Sequence, residues 1–132
     1  FSGLYCASKA ALHAISDALR MELHPFGIQV MTVMPGAIAS DFGNNATAAI
    51  TMADSSWFKP WEKVVQARAK ASQNARSTSA KDFARELLGY IGNPVRPENV
   101  LIGSGARSMV RLKRWLPTSI LDKRMRQRFK LE

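Results

Sequence analysis

Two residues with complementary chemistry, Tyr5 and Lys9, lie four positions apart near the start of the chain. On a helix this spacing places both side chains on one face, one turn apart. A phenol has an unperturbed pKa near 10, and a neighbouring ammonium favours its ionised form. Lowering the pKa of a phenol from ~10 to ~7 requires about 4 kcal/mol of stabilisation of the ionised form relative to the neutral form. Such a pair could pass a proton to or from a carbinol or carbonyl oxygen.

The segment that positions this pair is predicted to be a helix followed by a strand. Apolar residues recur at helical spacing between residues 4 and 24, and Pro25 with Gly27 ends the pattern. Residues 28–34 are rich in β-branched side chains and are flanked by glycine and a Pro-Gly pair, which predicts a buried strand. This order is the second half of a βαβ unit and predicts an α/β fold with a parallel sheet.

The following elements are less regular. Residues 37–60 show no clean period and predict a long loop with at most a helical turn. A helix is predicted over residues 61–73, and a second one begins after Ser79, where Asp82 completes a pattern like a capping box. Residues 99–103 predict a second strand.

The pattern Tyr-x-x-x-Lys alone is weak, but its context is specific. The run from Tyr5 to Lys9 is followed by the amphipathic helix, the predicted strand and Pro35-Gly36-Ala-Ile38-Ala-Ser40. In this order, residues 3–43 resemble the active-site helix, strand and Pro-Gly turn of the short-chain dehydrogenases/reductases. The resemblance implies the C-terminal half of a Rossmann-type, doubly wound parallel sheet, without its N-terminal βαβ units. Beyond Gly43 the resemblance is looser.

The resemblance implies hydride transfer between NAD(P)(H) and a carbonyl or alcohol substrate. Tyr5 would be the catalytic acid/base. Lys9 would lower the pKa of Tyr5 and bind the hydroxyls of the nicotinamide ribose. NADP is slightly favoured over NAD, although the residue that selects between them would lie upstream. In the family the active-site helix commonly packs against its copy, which implies a homo-oligomer.

The same resemblance assigns cofactor contacts to the Pro-Gly turn. Pro35 and Gly36 would shape the wall beside the nicotinamide. Ile38 would meet the carboxamide of that ring through its backbone, and Ser40, where the family often has threonine, would contact the phosphates. Small residues in this turn permit the close backbone approach that a flat ligand requires.

Two of the family's elements are not found in this sequence. No G-x-G-x-x-G motif occurs, and only four residues precede Tyr5, so the family's catalytic serine has no counterpart. We therefore expect negligible hydride transfer and poor stability from residues 1–132 alone. An inactive, truncated scaffold is the alternative.

The chain divides into four parts, which we treat as one partial domain. Residues 1–43 form the active-site region, 44–78 the substrate loop region, 79–106 the last helix and strand, and 107–132 a basic tail. Four aromatics in or beside the loop region predict either local packing or an apolar lid over a lipophilic substrate: Phe42, Trp57, Phe58 and Trp61.

The net charge of +9 is concentrated in the tail, where nine basic residues and two acidic ones are interleaved with apolar side chains around Pro117. This pattern predicts a solvated basic face or, alternatively, adsorption to an anionic membrane surface. No nucleic-acid-binding module accompanies the charge. The single cysteine, Cys6, suits a reducing, cytoplasmic setting and is predicted to be buried. His13 and His24 have no partners at metal-binding spacing.

Overall fold

The computed structural model describes residues 2–71, 73 and 76–131. Within these residues the chain forms six α-helices and two β-strands, which confirms the α/β class. In chain order they are α1 (Gly3–Glu22), β1 (Thr32–Pro35), α2 (Phe42–Ala48), α3 (Glu62–Ala69), α4 (Ala80–Ile91), β2 (Asn99–Ile102), α5 (Ala106–Trp115) and α6 (Thr118–Phe129).

Helix α1 ends where the sequence predicts. A 3₁₀ turn over His24–Phe26 follows it, and Pro25 at the start of that turn has no amide hydrogen to continue an α-helical ladder. Gly27 then adopts a left-handed conformation with φ of 69°. Glycine accepts this conformation without steric cost, so the chain can reverse direction towards β1.

The two strands pair in parallel, as predicted. Thr32 lies beside Asn99 and Pro35 beside Ile102, so both strands run to the same edge of the sheet. The apolar core is centred on β2, where Val100 and Ile102 are buried. Parallel pairing requires a crossover connection, and α2, α3 and α4 lie between the strands in the chain.

The first strand is shorter than predicted, since pairing begins only at Thr32, whose amide donates to the carbonyl of Glu98 (2.8 Å). Residues 28–31 are not strand. The Gln29 side chain instead donates to the carbonyl of Pro94 (3.0 Å) and accepts from the amide of Arg96 (3.3 Å). Strand β1 therefore begins at Thr32, the first residue whose backbone pairs with the segment that forms β2.

Three further predictions are corrected. The loop predicted over residues 37–60 contains α2, which packs against α3, a tertiary contact that the local pattern does not reveal. The helix predicted over 61–73 ends at Ala69. Cys6, predicted to be buried, is exposed, because α1 has no buried residue among those described.

The later elements agree with the sequence. The hydroxyl oxygen of Ser79 accepts a hydrogen bond from the amide of Asp82 (3.0 Å), which caps α4 as predicted. Pro117 separates α5 from α6. No helix in the described part of the chain is long and apolar enough to cross a membrane.

Candidate active site

The predicted pair lies on the first two turns of α1. The ammonium nitrogen of Lys9 lies 5.5 Å from the centre of the Tyr5 ring, a distance suited to a cation–π contact. Both side chains are exposed, Tyr5 by 49%. Among the described residues, neither the Tyr5 hydroxyl nor the Lys9 ammonium has a hydrogen-bond partner, so both groups are available to a ligand.

Phe42 joins this pair to the segment after β1. Its ring is tilted by 47° to the Tyr5 ring, and the two ring centres are 6.0 Å apart, as in favourable aromatic pairs. Phe42 opens α2 and follows Ser40 by two residues. The contact therefore places the end of the Pro-Gly turn beside the tyrosine.

Backbone hydrogen bonds hold the Pro-Gly turn in place. The amide of Gly36 donates to the carbonyl of Ile102 (2.8 Å), and that of Ala37 donates to Ser104 (2.8 Å). Ala39 donates to the carbonyl of Thr78, and the Thr78 amide donates to Ala37, each at 2.9 Å. Residues 36–39 are thus fixed to the end of β2 on one side and to Thr78 on the other.

Gly36 is required at its position by the closeness of this packing. A Cβ atom on Gly36 would lie 2.2 Å from the carbonyl oxygen of Ser104 and 2.8 Å from the amide nitrogen of Ala106. Gly103 has φ of 92°, and a Cβ there would meet the Ile38 side chain at 2.6 Å. The space that a side chain at residue 36 would need is therefore occupied by the backbone of Gly103, Ser104 and Ala106.

Ile38 has the backbone groups that its predicted role needs. The bridge to Thr78 uses the carbonyl of Ala37 and the amide of Ala39, which turns the amide and carbonyl of Ile38 away from that bridge. Neither group has a backbone partner among the described residues. A donor and an acceptor side by side can pair with a carboxamide, so the site fits a nicotinamide at this point.

Pro35 and Ser40 lie at the two ends of the turn, and both are exposed. The backbone carbonyl of Ser40 accepts a hydrogen bond from the side-chain amide of Gln73 (2.7 Å). That bond fixes the backbone of Ser40 and leaves its hydroxyl, which has no partner among the described residues, for another ligand.

The sequence did not reveal Thr78 or Gln73 as part of this site. The Thr78 hydroxyl oxygen accepts from the amide of Ser104 (3.0 Å), so one threonine supports both the Pro-Gly turn and the end of β2. Neither residue belongs to a motif, and both lie more than 30 residues from the turn. Phe42 had a partial signal, as an aromatic just after the turn.

Comparisons with known proteins agree with the α/β fold described above. Residues 1–51 match the family model of the short chain dehydrogenases. Short-chain dehydrogenase PC-15 of Penicillium crustosum is 41% identical over 92 residues, which are 69% of this chain and 32% of that protein. The probable short-chain type dehydrogenase/reductase VdlC of Helicobacter pylori is 32% identical over 122 residues, 92% of this chain and 44% of that protein.

A third relative is similar along the whole chain. The NADPH-dependent 1-acyldihydroxyacetone phosphate reductase of Saccharomyces cerevisiae is 26% identical over 132 residues, 100% of this chain and 44% of that protein. The chain thus spans less than half the length of these relatives. No solved structure matches significantly. The fold is part of a Rossmann-like α/β domain. The chain belongs to the short-chain dehydrogenase/reductase family.

Proposed function

We propose that the intact protein transfers hydride between NAD(P)(H) and a carbonyl or alcohol substrate, with Tyr5 as the acid/base. The observation that carries this proposal is the placement of the Lys9 ammonium 5.5 Å from the Tyr5 ring on an exposed helix face. A phenol and an ammonium that have no hydrogen-bond partner within the described residues are the groups needed to move one proton at a substrate oxygen.

The remaining site residues bind and orient. Lys9 would hold the nicotinamide ribose, the backbone of Ile38 would pair with the carboxamide, and the Ser40 hydroxyl would contact phosphate. Pro35 and Gly36 would form the wall beside the nicotinamide. NAD(P)H, when bound, supplies the hydride, while Tyr5 donates the proton that the carbonyl oxygen needs.

NADPH is the cofactor to test first. The reductases of Saccharomyces cerevisiae and Schizosaccharomyces pombe that resemble this chain are both named as NADPH-dependent. A lipophilic substrate is supported by the exposed aromatic side chains of the loop region, where Trp57 is 91% and Phe58 53% exposed. The polypeptide of residues 1–132 has no glycine-rich phosphate turn. We therefore expect it to show negligible turnover by itself.

Tyr5→Phe in the intact protein tests the proposal, with Tyr90→Phe on α4 as the matched control. Phenylalanine keeps the ring that meets Phe42, so the fold should be unchanged. We expect kcat to fall roughly 10²- to 10⁴-fold in the Tyr5 variant and to stay unchanged in the control. Full turnover by Tyr5→Phe would exclude the proposed role. No turnover by the wild type with either cofactor would favour a non-catalytic scaffold.

Adsorption to an anionic membrane is the second candidate, and the geometry of α5 supports it. Arg107, Arg111 and Arg114 recur at spacings of four and three, which places them on one face of the helix. Trp115, at the end of α5, is 78% exposed. Basic and aromatic side chains together suit the membrane interface. Sedimentation of the intact protein with anionic and neutral liposomes tests this role separately from turnover.

A further inference from the structure

Two adjoining cavities lie where α3 meets the end of α6, and they differ in the number of cations that line them. The first has a volume of about 480 Å³, and much of its wall is apolar, with Met52, Phe58, Val65, Phe129 and Leu131 contributing. The second cavity, which we call the basic cavity, has a volume of about 340 Å³. Four cations line it (Lys63, Arg68, Arg128 and Lys130), together with four apolar residues (Val64, Ala67, Ala71 and Phe129). Arg68 and Phe129 line both cavities, so the apolar space continues into the basic one.

Hydrogen bonds hold the segment after α6, which lines both cavities, against the start of α3. The indole nitrogen of Trp61 donates to the carbonyl of Lys130 (2.8 Å). Lys130 adopts a left-handed conformation with φ of 50°, and the amide of Leu131 donates back to Arg126 (3.0 Å). These bonds place Phe129 and Leu131 against the start of α3, although almost 70 residues separate the segments in sequence.

The four cations of the second cavity have no acidic partner among residues 2–71, 73 and 76–131. In the described part of the chain, no salt bridge involves Lys63, Arg68, Arg128 or Lys130, whereas Lys59 nearby pairs with both Asp54 and Glu62. Four like charges around one cavity repel one another and attract an anion. The available guanidinium of Arg68 can bind a phosphate or carboxylate through two parallel hydrogen bonds.

The apolar cavity reaches the helix that carries Tyr5. Ser2 lines this cavity, and its carbonyl accepts a hydrogen bond from the amide of Cys6 in the first turn of α1. Tyr5 belongs to the same turn. A chain lying in the apolar cavity would therefore run from the basic cavity towards the first turn of α1.

We propose that these cavities bind a single-chain anionic amphiphile, with its chain between Met52, Phe58 and Phe129 and its anionic group beside Arg68. Such a molecule, carrying a carbonyl or hydroxyl group, is the substrate class of this enzyme. The substrate assignment rests on the proposed function, whereas the binding site stands on the cavities alone.

Binding is tested with dodecyl phosphate, below its micellar concentration, on the intact protein without cofactor. Dodecanol serves as the neutral probe and inorganic phosphate as the chainless one. We expect dodecyl phosphate to bind roughly tenfold or more tightly than dodecanol, and high salt to weaken only the former. Each added methylene should raise affinity about three- to fourfold until the cavity is filled.

Variants locate the site. Arg68→Gln should weaken dodecyl phosphate roughly tenfold and leave dodecanol unchanged. Phe129→Ala should weaken both probes. Lys81→Gln on α4 removes one positive charge away from the cavities and should change neither. Equal affinity for the two probes would overturn the proposal. So would an equal loss in the Arg68 and Lys81 variants, or binding only to anionic vesicles. The salt and chain-length series on the wild type decide the matter if Arg68→Gln fails to fold.

Measurements of turnover distinguish the proposed function from the proposed substrate class. A twelve-carbon ketone with a terminal phosphate should show a KM roughly tenfold lower than the neutral ketone, and Arg68→Gln should remove that difference. Tight binding of dodecyl phosphate without reduction of either ketone would contradict the proposed function and leave the binding site intact. Reduction of both ketones with equal KM would contradict the substrate class alone.

Discussion

Gly36 lies directly against Ser104, because a Cβ on Gly36 would be 2.2 Å from the Ser104 carbonyl oxygen. The obstacle is backbone, which cannot rotate away as a flexible side chain can. The amide of the next residue, Ala37, donates to the same oxygen (2.8 Å). The position of the Pro-Gly turn therefore depends on the absence of a side chain at residue 36.

Gly36→Ala should destabilise the intact protein by about 3 kcal/mol, because the added methyl group has no space and the neighbouring backbone must move. Gly89→Ala is the matched control: nothing lies within 4 Å of its added Cβ, and Gly89 is inside α4. Alanine there should stabilise by about 0.5–1 kcal/mol. Chemical denaturation measures both. Equal stability of the two variants would contradict the packing described.

Lys9→Met should lower kcat/KM roughly 10²-fold, because the ammonium over the Tyr5 ring is removed while the helix is retained. The KM for the cofactor should also rise if Lys9 holds the ribose. Lys113→Met, on an exposed position of α5, is the control and should leave the kinetics unchanged. Unchanged kinetics in the Lys9 variant would remove Lys9 from the site.

Ser79→Ala should cost about 1 kcal/mol of the free energy of unfolding, because the hydroxyl oxygen accepts the Asp82 amide at the start of α4. Ser16→Ala serves as the comparison. That hydroxyl donates to the Leu12 carbonyl within α1 and caps nothing. We expect its effect to lie within about 0.5 kcal/mol. Thermal or denaturant unfolding of the intact protein distinguishes the two positions.

Lys59 gives a pH dependence of stability in the alkaline range. Hydrogen bonds to Asp54 and Glu62 raise the pKa of Lys59 above its ordinary value of 10.5. A raised pKa in the folded state means that the stabilisation is fully present below 10.5 and is lost as the pH rises through the higher value. Lys59→Met should therefore lose stability relative to wild type at pH 8, and the difference should shrink above pH 10.5.

Unfolding curves measured at pH 8 and at several pH values above 10.5 check the prediction. The control is Lys81→Met on α4, a lysine for which no salt bridge exists within the described residues. Its difference from wild type should stay constant with pH. A Lys59 difference that remains constant across the same range would contradict the role of the two carboxylates.

The sequence predicted elements whose signals are local. The end of α1 followed from Pro25 and Gly27, the start of α4 from Ser79, and the break between α5 and α6 from Pro117. Each signal acts through the backbone of the residue itself or of its nearest neighbours, so no distant partner is needed. The spacing of Tyr5 and Lys9 belongs to the same class, since a helix alone brings them together.

The tertiary structure decided what depends on distant partners. Strand β1 starts at Thr32 rather than at residue 28, because its ladder can begin only where Glu98 presents a carbonyl. The path of the Pro-Gly turn places Phe42 beside Tyr5. Thr78, about 40 residues further along the chain, holds the Pro-Gly turn through hydrogen bonds. The sequence by itself determined α1, the start of α4 and the Tyr5–Lys9 pair, because local spacing and capping residues fix them. The wall of the site and the cavities around Arg68 arise only when remote segments share hydrogen bonds and surfaces.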